Sequence, residues 1–250
     1  MSFSLKILTY NLHKGFSALG SSFQLETMQQ ALLAEAPDIL FLQEVQGAHL
    51  KHQTRIKNWP AVPQLEYLGG ENWPFQAYGQ NVTYKNGHHG NGLLSNLPLI
   101  EWEQISIAAS SLSKRGLLHA KIQRPGTTEI IHLICVHLGL SEGEREKQLG
   151  LISARIASHV PSHEPLILAG DFNDWRKRAE KHLAKNLSLK DAFLEQKGKH
   201  PKTFPAVYPV LSLDRIYYRG LKLVSCECLR SKQWRGLSDH LPLTATFEMV

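Results

Sequence analysis

Asn11 follows LKILTY, Glu44 follows DILFLQ, His137 closes EIIHLICV, Asp171 follows LILAG, and Asp239-His240 stand just before LPLTATF. Each of these polar residues terminates an apolar run. Singly, each has an ordinary use: Asn11 as a turn residue, Glu44 as a helix-start charge, His137 as a buried imidazole, Asp239 as an N-cap. Independent turns would not place an Asn, a Glu, two His and several Asp all alike. Carboxylates and an amide oxygen are hard donors suited to magnesium, which takes one or two carboxylates and keeps waters that a phosphate can displace. Histidine beside carboxylate supplies an acid or base near neutral pH, and a buried aspartate can orient the ring. That mixture points to phosphoester hydrolysis.

These groups need rigid mounts. LILAGDFNDW, residues 166–175, reads as a short buried strand ended by a turn, with Asn173 or Asp174 capping a helix that starts near Trp175. Similar apolar runs, rich in Ile, Leu, Val or aromatic residues, span Leu5–Leu12, Asp38–Gln43, Gly92–Leu94, Ile130–Leu138, Pro165–Ala169, Leu213–Tyr218 and Leu241–Phe247. Two helices intervene: Leu25, Met28, Leu32 and Leu33 mark one apolar face, and Leu149, Ile152, Ile156 and Val160 mark the other. Ser141 with Glu144 three residues on forms a capping box for the second. Strands with interspersed helices predict an α/β layered domain, with polar groups gathered at strand ends where adjoining loops leave room for substrate.

No linker or low-complexity block divides the 250 residues, so one domain over 1–250 is expected, and no sequence repeat is visible. Hydrophobic content of 42% and charged content of 20% suit a soluble globular chain, and no apolar run is long enough to span a bilayer. The N-terminus lacks an export signal, and three cysteines argue for a reducing compartment over a disulfide framework, so a cytoplasmic protein is expected. Cys226 and Cys228 read as packing residues. A net charge of +6 favours anionic partners. The basic segment WRKRAEKHLAK, residues 175–185, fits phosphate contact and a solvated helix face equally well.

The motifs TYNLHKG, DILFLQEV, GNGLLSN, VHL, GDFND, LDRIYY and SDHLPL occur in an order that resembles the endonuclease/exonuclease/phosphatase superfamily, DNase I and its relatives, across nearly the whole chain. NLHKGF, GHHGN, VHLGL and GDFNDW are most similar to a bacterial branch, the YbhP-like proteins. The resemblance implies a four-layer α/β sandwich of two packed mixed sheets flanked by helices, and hydrolysis of a phosphodiester by in-line attack of water. It implies Glu44 as the main Mg2+ ligand, supported by Asn11 and Asp239, with one or two ions and Mn2+ as a substitute. His240, oriented by Asp214, would act on the phosphate or the attacking water. Asp171 would activate water or protonate the leaving group, Asn173 would bind a phosphate oxygen, and His137 would contact the phosphate or donate a proton. Arg115, in KRGLLHAKI, would face the phosphate.

Relatives place a phosphate-contacting tyrosine and a carboxylate partner for the first histidine between the second and third motifs; Glu71, Tyr78 and Tyr84 are the candidates here. His137-Leu138 stands where AP endonucleases carry a PN pair, which disfavours abasic-site cleavage. His88 and His89 fit a phosphate-binding rim and plain exposure equally, and Trp175 reads as a packing anchor rather than a substrate flank. The expected substrate is nucleic acid, DNA or RNA, on a basic track of Arg176, Lys177, Arg178, Lys232 and Arg235. The alternative is a lipid head group or small phosphoester, with peripheral membrane contact through Trp59, Trp73 and Phe75. A catalytically inactive binding module would have lost part of the set, and all eight polar residues are present. No feature calls for an obligate protein partner.

Overall fold

The computed structural model describes residues 3–109 and 114–249, apart from the side chains of residues 184–186. Twelve strands among them form two six-stranded mixed sheets. The first runs β11 (Leu221–Cys228), β12 (Leu243–Met249), β1 (Ser4–Asn11), β2 (Ile39–His49), β4 (Gly87–Ser95), β3 (Phe75–Tyr84). The second runs β5 (Leu99–Ser106), β6 (Gly116–Gln123), β7 (Ile130–His137), β8 (Leu166–Asp171), β10 (Asp214–Arg219), β9 (Lys190–Asp191). Each sheet centres on one parallel pair, β1 with β2 and β7 with β8, and every other neighbour is antiparallel. A parallel pair needs a crossover, and the two amphipathic helices supply it: α1 (Leu25–Glu35) joins β1 to β2, and α4 (Glu142–His159) joins β7 to β8.

The sheets share one core. Leu5, Ile7, Phe41 and Leu93 of the first meet Leu118, Leu133, Ile167 and Ile216 of the second. The opposite faces of the same strands are also buried, Leu8 and Leu40 against Met28 and Leu32 of α1, Ile134 and Leu168 against Leu149, Ile152 and Ile156 of α4. This double burial explains why the central strands read as continuous apolar runs rather than as alternation. Each fully buried Leu or Ile contributes roughly 1.5–3 kcal/mol, so the strands that carry the polar termini are firmly held. Among the described residues, five short helices complete the outer layers and edges: α2 (Leu50–Arg55), α3 (Gln64–Gly69), α5 (Ala179–Leu187), α6 (Ala192–Lys197) and α7 (Lys232–Leu237).

All seven expected runs are strands and the four-layer arrangement holds. The Ser141 hydroxyl accepts the Glu144 N–H at 3.3 Å, as the capping box requires. β3, β5, β6, β9 and β11 were not legible: β5 is an exposed edge strand, β3 carries Gly79-Gln80-Asn81, and β9 has two residues. Asp174 does hold a helix start, accepting the Ala179 N–H at 2.7 Å, yet α5 begins four residues later than expected. Trp175 is half-exposed in that gap under the Arg176 guanidinium, which corrects its reading as a packing anchor. Among the described residues no helix is long and apolar enough to cross a membrane.

Candidate active site

The parallel pairs end together. Asn11 lies opposite Gln43, and His137 opposite Asp171, while Asp214 pairs with Asp171 from the antiparallel side. Gly170 makes the second arrangement possible: its φ is +149°, and a Cβ there would meet the Val136 carbonyl oxygen at 2.0 Å. Only glycine lets β8 come this close to β7 and set Asp171 beside His137. Glu44 sits in a register shift between Leu42 and Val45, with φ +53°, and Asn173 has φ +49°. Left-handed non-glycine backbone is costly, and here it falls on two of the expected site residues, where bulges and tight turns re-aim side chains.

Asp171 is the hub. Its Oδ2 receives the Asn11 amide at 3.1 Å and faces His137 Nε2 at 3.4 Å and His240 Nε2 at 3.7 Å; its Oδ1 accepts the Asn173 backbone N–H at 2.9 Å. On the far side, His240 Nδ1 meets Asp214 Oδ2 at 2.9 Å. Both histidines therefore face the same carboxylate oxygen, and they differ in charge, His240 cationic and His137 neutral. Burial alone would lower His240, but Asp214 and Asp171 outweigh it and lift the imidazole to about 10. Burial, helped by the Arg115 charge, pushes His137 down to about 4. The Arg115 guanidinium can only donate, so at 3.4 Å from His137 Nδ1 it assigns the neutral ring its proton on Nε2, toward Asp171. Burial raises Asp171 itself, with His240 and His137 pulling against that rise.

Glu44 has a different setting. Lys14 Nζ lies 2.6 Å from Glu44 Oε2, and although burial works the other way, His137 and Lys14 hold the carboxyl down at about 2. Lys14 belongs to a single three-ten turn, His13–Gly15, whose three residues all have positive φ. The same turn places His13 Nδ1 3.8 Å from Asp239 Oδ1 and sends the His13 N–H to Asn11 Oδ1 at 3.0 Å. Neither Lys14 nor His13 was singled out from sequence; two polar residues before the αL-tolerant Gly15 give no local signal. Ser238 was also missed: its hydroxyl donates to the Asn11 carbonyl at 2.7 Å, tying the SDH segment to β1.

By chemistry, the ionised Glu44 carboxylate suits a hard divalent cation, as do the Asn11 amide oxygen and the Asp239 carboxylate, and all three contact the His13-Lys14 turn. The tighter cluster of Asp171, Asp214 and His240 has ligand-type atoms within 4.8 Å of one another. There, however, His240 is protonated and both its nitrogens face carboxylates, so that cluster reads as a proton-holding array.

The remaining expectations sort as follows. Asn173 turns its amide N–H onto the Leu138 carbonyl at 3.0 Å, which leaves one N–H and the amide oxygen for other contacts. A cavity of about 570 Å³ extends from Glu44 and His89 past Arg115 to Lys114 and Lys147. His89 thus joins the site, pushed down to about 4 by burial and by Lys14. His88 instead bonds the Tyr78 hydroxyl at 3.0 Å, Tyr84 donates to Gln46 at 2.8 Å, and Glu71 is exposed, so the carboxylate beside His137 is Asp171. Arg176 and Arg178 both pair with Glu142, which diminishes the basic track; Lys185's side chain lies outside the described residues. Trp73 is buried, its indole N–H on the Pro37 carbonyl at 2.7 Å, and Trp59 stacks on Phe23, so Trp73 supports the core rather than a membrane contact.

The endonuclease/exonuclease/phosphatase family pattern matches residues 8–240. Over 247 residues the chain is 40% identical to YbhP of Escherichia coli K12, across 99% of this chain and 97% of that protein. Among solved structures, an endonuclease/exonuclease/phosphatase from Beutenbergia cavernae is similar with a TM-score of 0.78 and 18% identity, covering 98% of this chain and 72% of that one. The human nocturnin catalytic domain, solved with a bound sulfate anion, is similar with a TM-score of 0.74 and 23% identity, covering 99% of this chain and 94% of that one. With the pattern running from β1 to His240, the chain belongs to the endonuclease/exonuclease/phosphatase family.

Proposed function

We propose that the chain is a Mg2+-dependent phosphodiesterase. The observation that carries this reading is the Asp214–His240–Asp171 array standing beside an ionised Glu44. Glu44, with Asn11 and Asp239, would hold the ion, which supplies charge to polarise a phosphoryl oxygen. Asp171, made more basic by burial, is suited to take the proton of the attacking water as it enters in line. Phosphorus gains that oxygen, the ester bond breaks, and the leaving oxygen departs with the electron pair. Protonated His240 and Arg115 offset the charge that develops on the phosphoryl oxygens. Asn173, with one N–H uncommitted, suits a phosphate oxygen. No covalent intermediate is required.

The net charge of +6 supports an anionic substrate and keeps DNA or RNA the first polymers to test. A lipid head group is the second reading, favoured by exposed apolar side chains around the site's mouth. The test is turnover of bis(p-nitrophenyl) phosphate, plasmid DNA, RNA and phospholipid by the purified chain with Mg2+ or Mn2+, with Glu44→Ala alongside. Metal-dependent hydrolysis lost in Glu44→Ala supports the reading. No turnover of any substrate, or full activity in Glu44→Ala, overturns it.

A further inference from the structure

The site opens at the end of the sandwich where β1, β2, β7 and β8 finish, and the loops there carry a recurring oddity. Large apolar side chains stand in solvent on four of them. Leu19, after β1, is 84% exposed; Leu140, after β7, is 74% exposed; Trp175, after β8, is half-exposed. Before β10, Val207, Tyr208 and Val210 project together, Tyr208 with 77% of its surface free.

These loops are anchored to the site itself. The Ala206 N–H donates to the Asp239 carbonyl at 2.7 Å, Phe204 packs its ring 5.0 Å from that of His240, and the Ala18 N–H reaches Gly236 just before Ser238. Exposed leucine, valine and tyrosine cost hydration without a core to repay it, and an apolar rim around a polar mouth marks an interaction surface.

The arrangement selects the kind of partner. A groove would receive a helix or a peptide, whereas separate prongs on four loops around one opening suit a planar, deformable surface that each can enter independently. Charge agrees: Lys147 on the cavity wall and Lys177 beside Trp175 have no ion-pair partner among the described residues, and the chain is +6 overall. Apolar prongs with basic neighbours are the combination that binds an anionic lipid interface. We propose that this end of the molecule docks on an anionic lipid bilayer through Leu19, Leu140, Trp175 and the Val207–Val210 loop, with the active-site mouth facing the head groups. The inference goes beyond the hydrolase reading and can fail separately from it.

The test is co-sedimentation of the full chain with vesicles of phosphatidylglycerol and phosphatidylcholine, and with phosphatidylcholine alone. Binding should favour the anionic vesicles and weaken as salt rises. Tyr208→Ser should weaken it roughly tenfold, and the Val207→Ser/Tyr208→Ser pair further. Trp175→Ser, on another loop, should also weaken it, and thermal melting shows whether each variant is folded. No binding to anionic vesicles at low salt overturns the proposal, as does equal binding by folded variants on both loops. If the same variants instead weaken binding of a single-stranded oligonucleotide while vesicles are ignored, the rim stacks bases and the proposal falls. Turnover of bis(p-nitrophenyl) phosphate, measured without vesicles, reports on the hydrolase reading alone.

Discussion

The two sheets repeat one strand pattern, and at corresponding ends they hold different chemistry. In the first, the parallel pair delivers Asn11 and Glu44; in the second it delivers His137 and Asp171. Glu44 lies beside Lys14 and is held at about 2, so it stays a carboxylate, while Asp171 is enclosed among imidazoles and raised by burial. Topology gives both pairs the same rigid placement. What differs is the next few residues: a left-handed His13-Lys14-Gly15 turn brings a cation to the first pair, and Gly170 lets the second close tightly. One scaffold can thus offer an oxygen-donor half and a proton-holding half.

The largest effect should come from separating those halves. Glu44→Gln should lower kcat/KM on the order of 10³-fold and abolish Mn2+ binding measured by calorimetry. His137→Asn should cost activity on the order of 10²-fold while Mn2+ still binds. Loss of Mn2+ binding in both variants would break the division between the sheets.

Next in size is the charge on His240. The protonated ring is the useful form, so activity should fall as pH rises through its value of about 10. Asp214→Asn removes a carboxylate that raises it, so the alkaline limb should move to lower pH and kcat should drop roughly 10²-fold. An alkaline limb that stays in place would remove His240 from this role.

Gly170→Ala tests the close approach of the second sheet. A methyl group would meet the Val136 carbonyl, whereas β2 carries Leu42 at the corresponding position, opposite Tyr10. Destabilisation of about 3 kcal/mol or more is expected, read as a fall in Tm and urea midpoint.

The smallest effect concerns histidines away from the site. On β6 and β7, His119 Nε2 and His132 Nδ1 are 2.8 Å apart, and His132 Nε2 meets Glu164 at 2.5 Å. Burial, with His132 adding to it, pushes His119 down to about 4, below its unfolded value near 6.5. The unfolded chain therefore binds protons first as pH falls, so this contribution is complete above about 6.5 and is lost toward 4. Roughly 2 kcal/mol should disappear over that window in urea titrations, and His119→Gln should flatten the slope. A slope unchanged by that substitution would place the pH dependence elsewhere.

Legibility followed burial. The seven strands read from sequence lie in or beside the doubly buried centre, where apolar runs are continuous. β5 is edge-exposed and β3 breaks at Gly79-Gln80-Asn81, so neither offers a period to read. In the site, Asn11, Glu44, His137, Asp171 and His240 were visible because polar residues closing apolar runs stand out. Lys14, His13 and Ser238 were not, since each acts through a neighbour distant in sequence, such as Lys14 on Glu44; for His89 the sequence left rim and plain exposure even, and the cavity decided for the rim.

The amino-acid sequence alone determined the layered fold, the family, and which polar residues close the central apolar runs, because these depend on residue type and on the order of short apolar runs. The tertiary structure alone decided which histidine is charged, which carboxylate faces Lys14, and that Trp73 lies in the core while Tyr208 stands in water. Those outcomes depend on distance and burial, and the electrostatic balance among Asp214, His240 and Asp171 exists only once strands 26 or more residues apart are folded against one another.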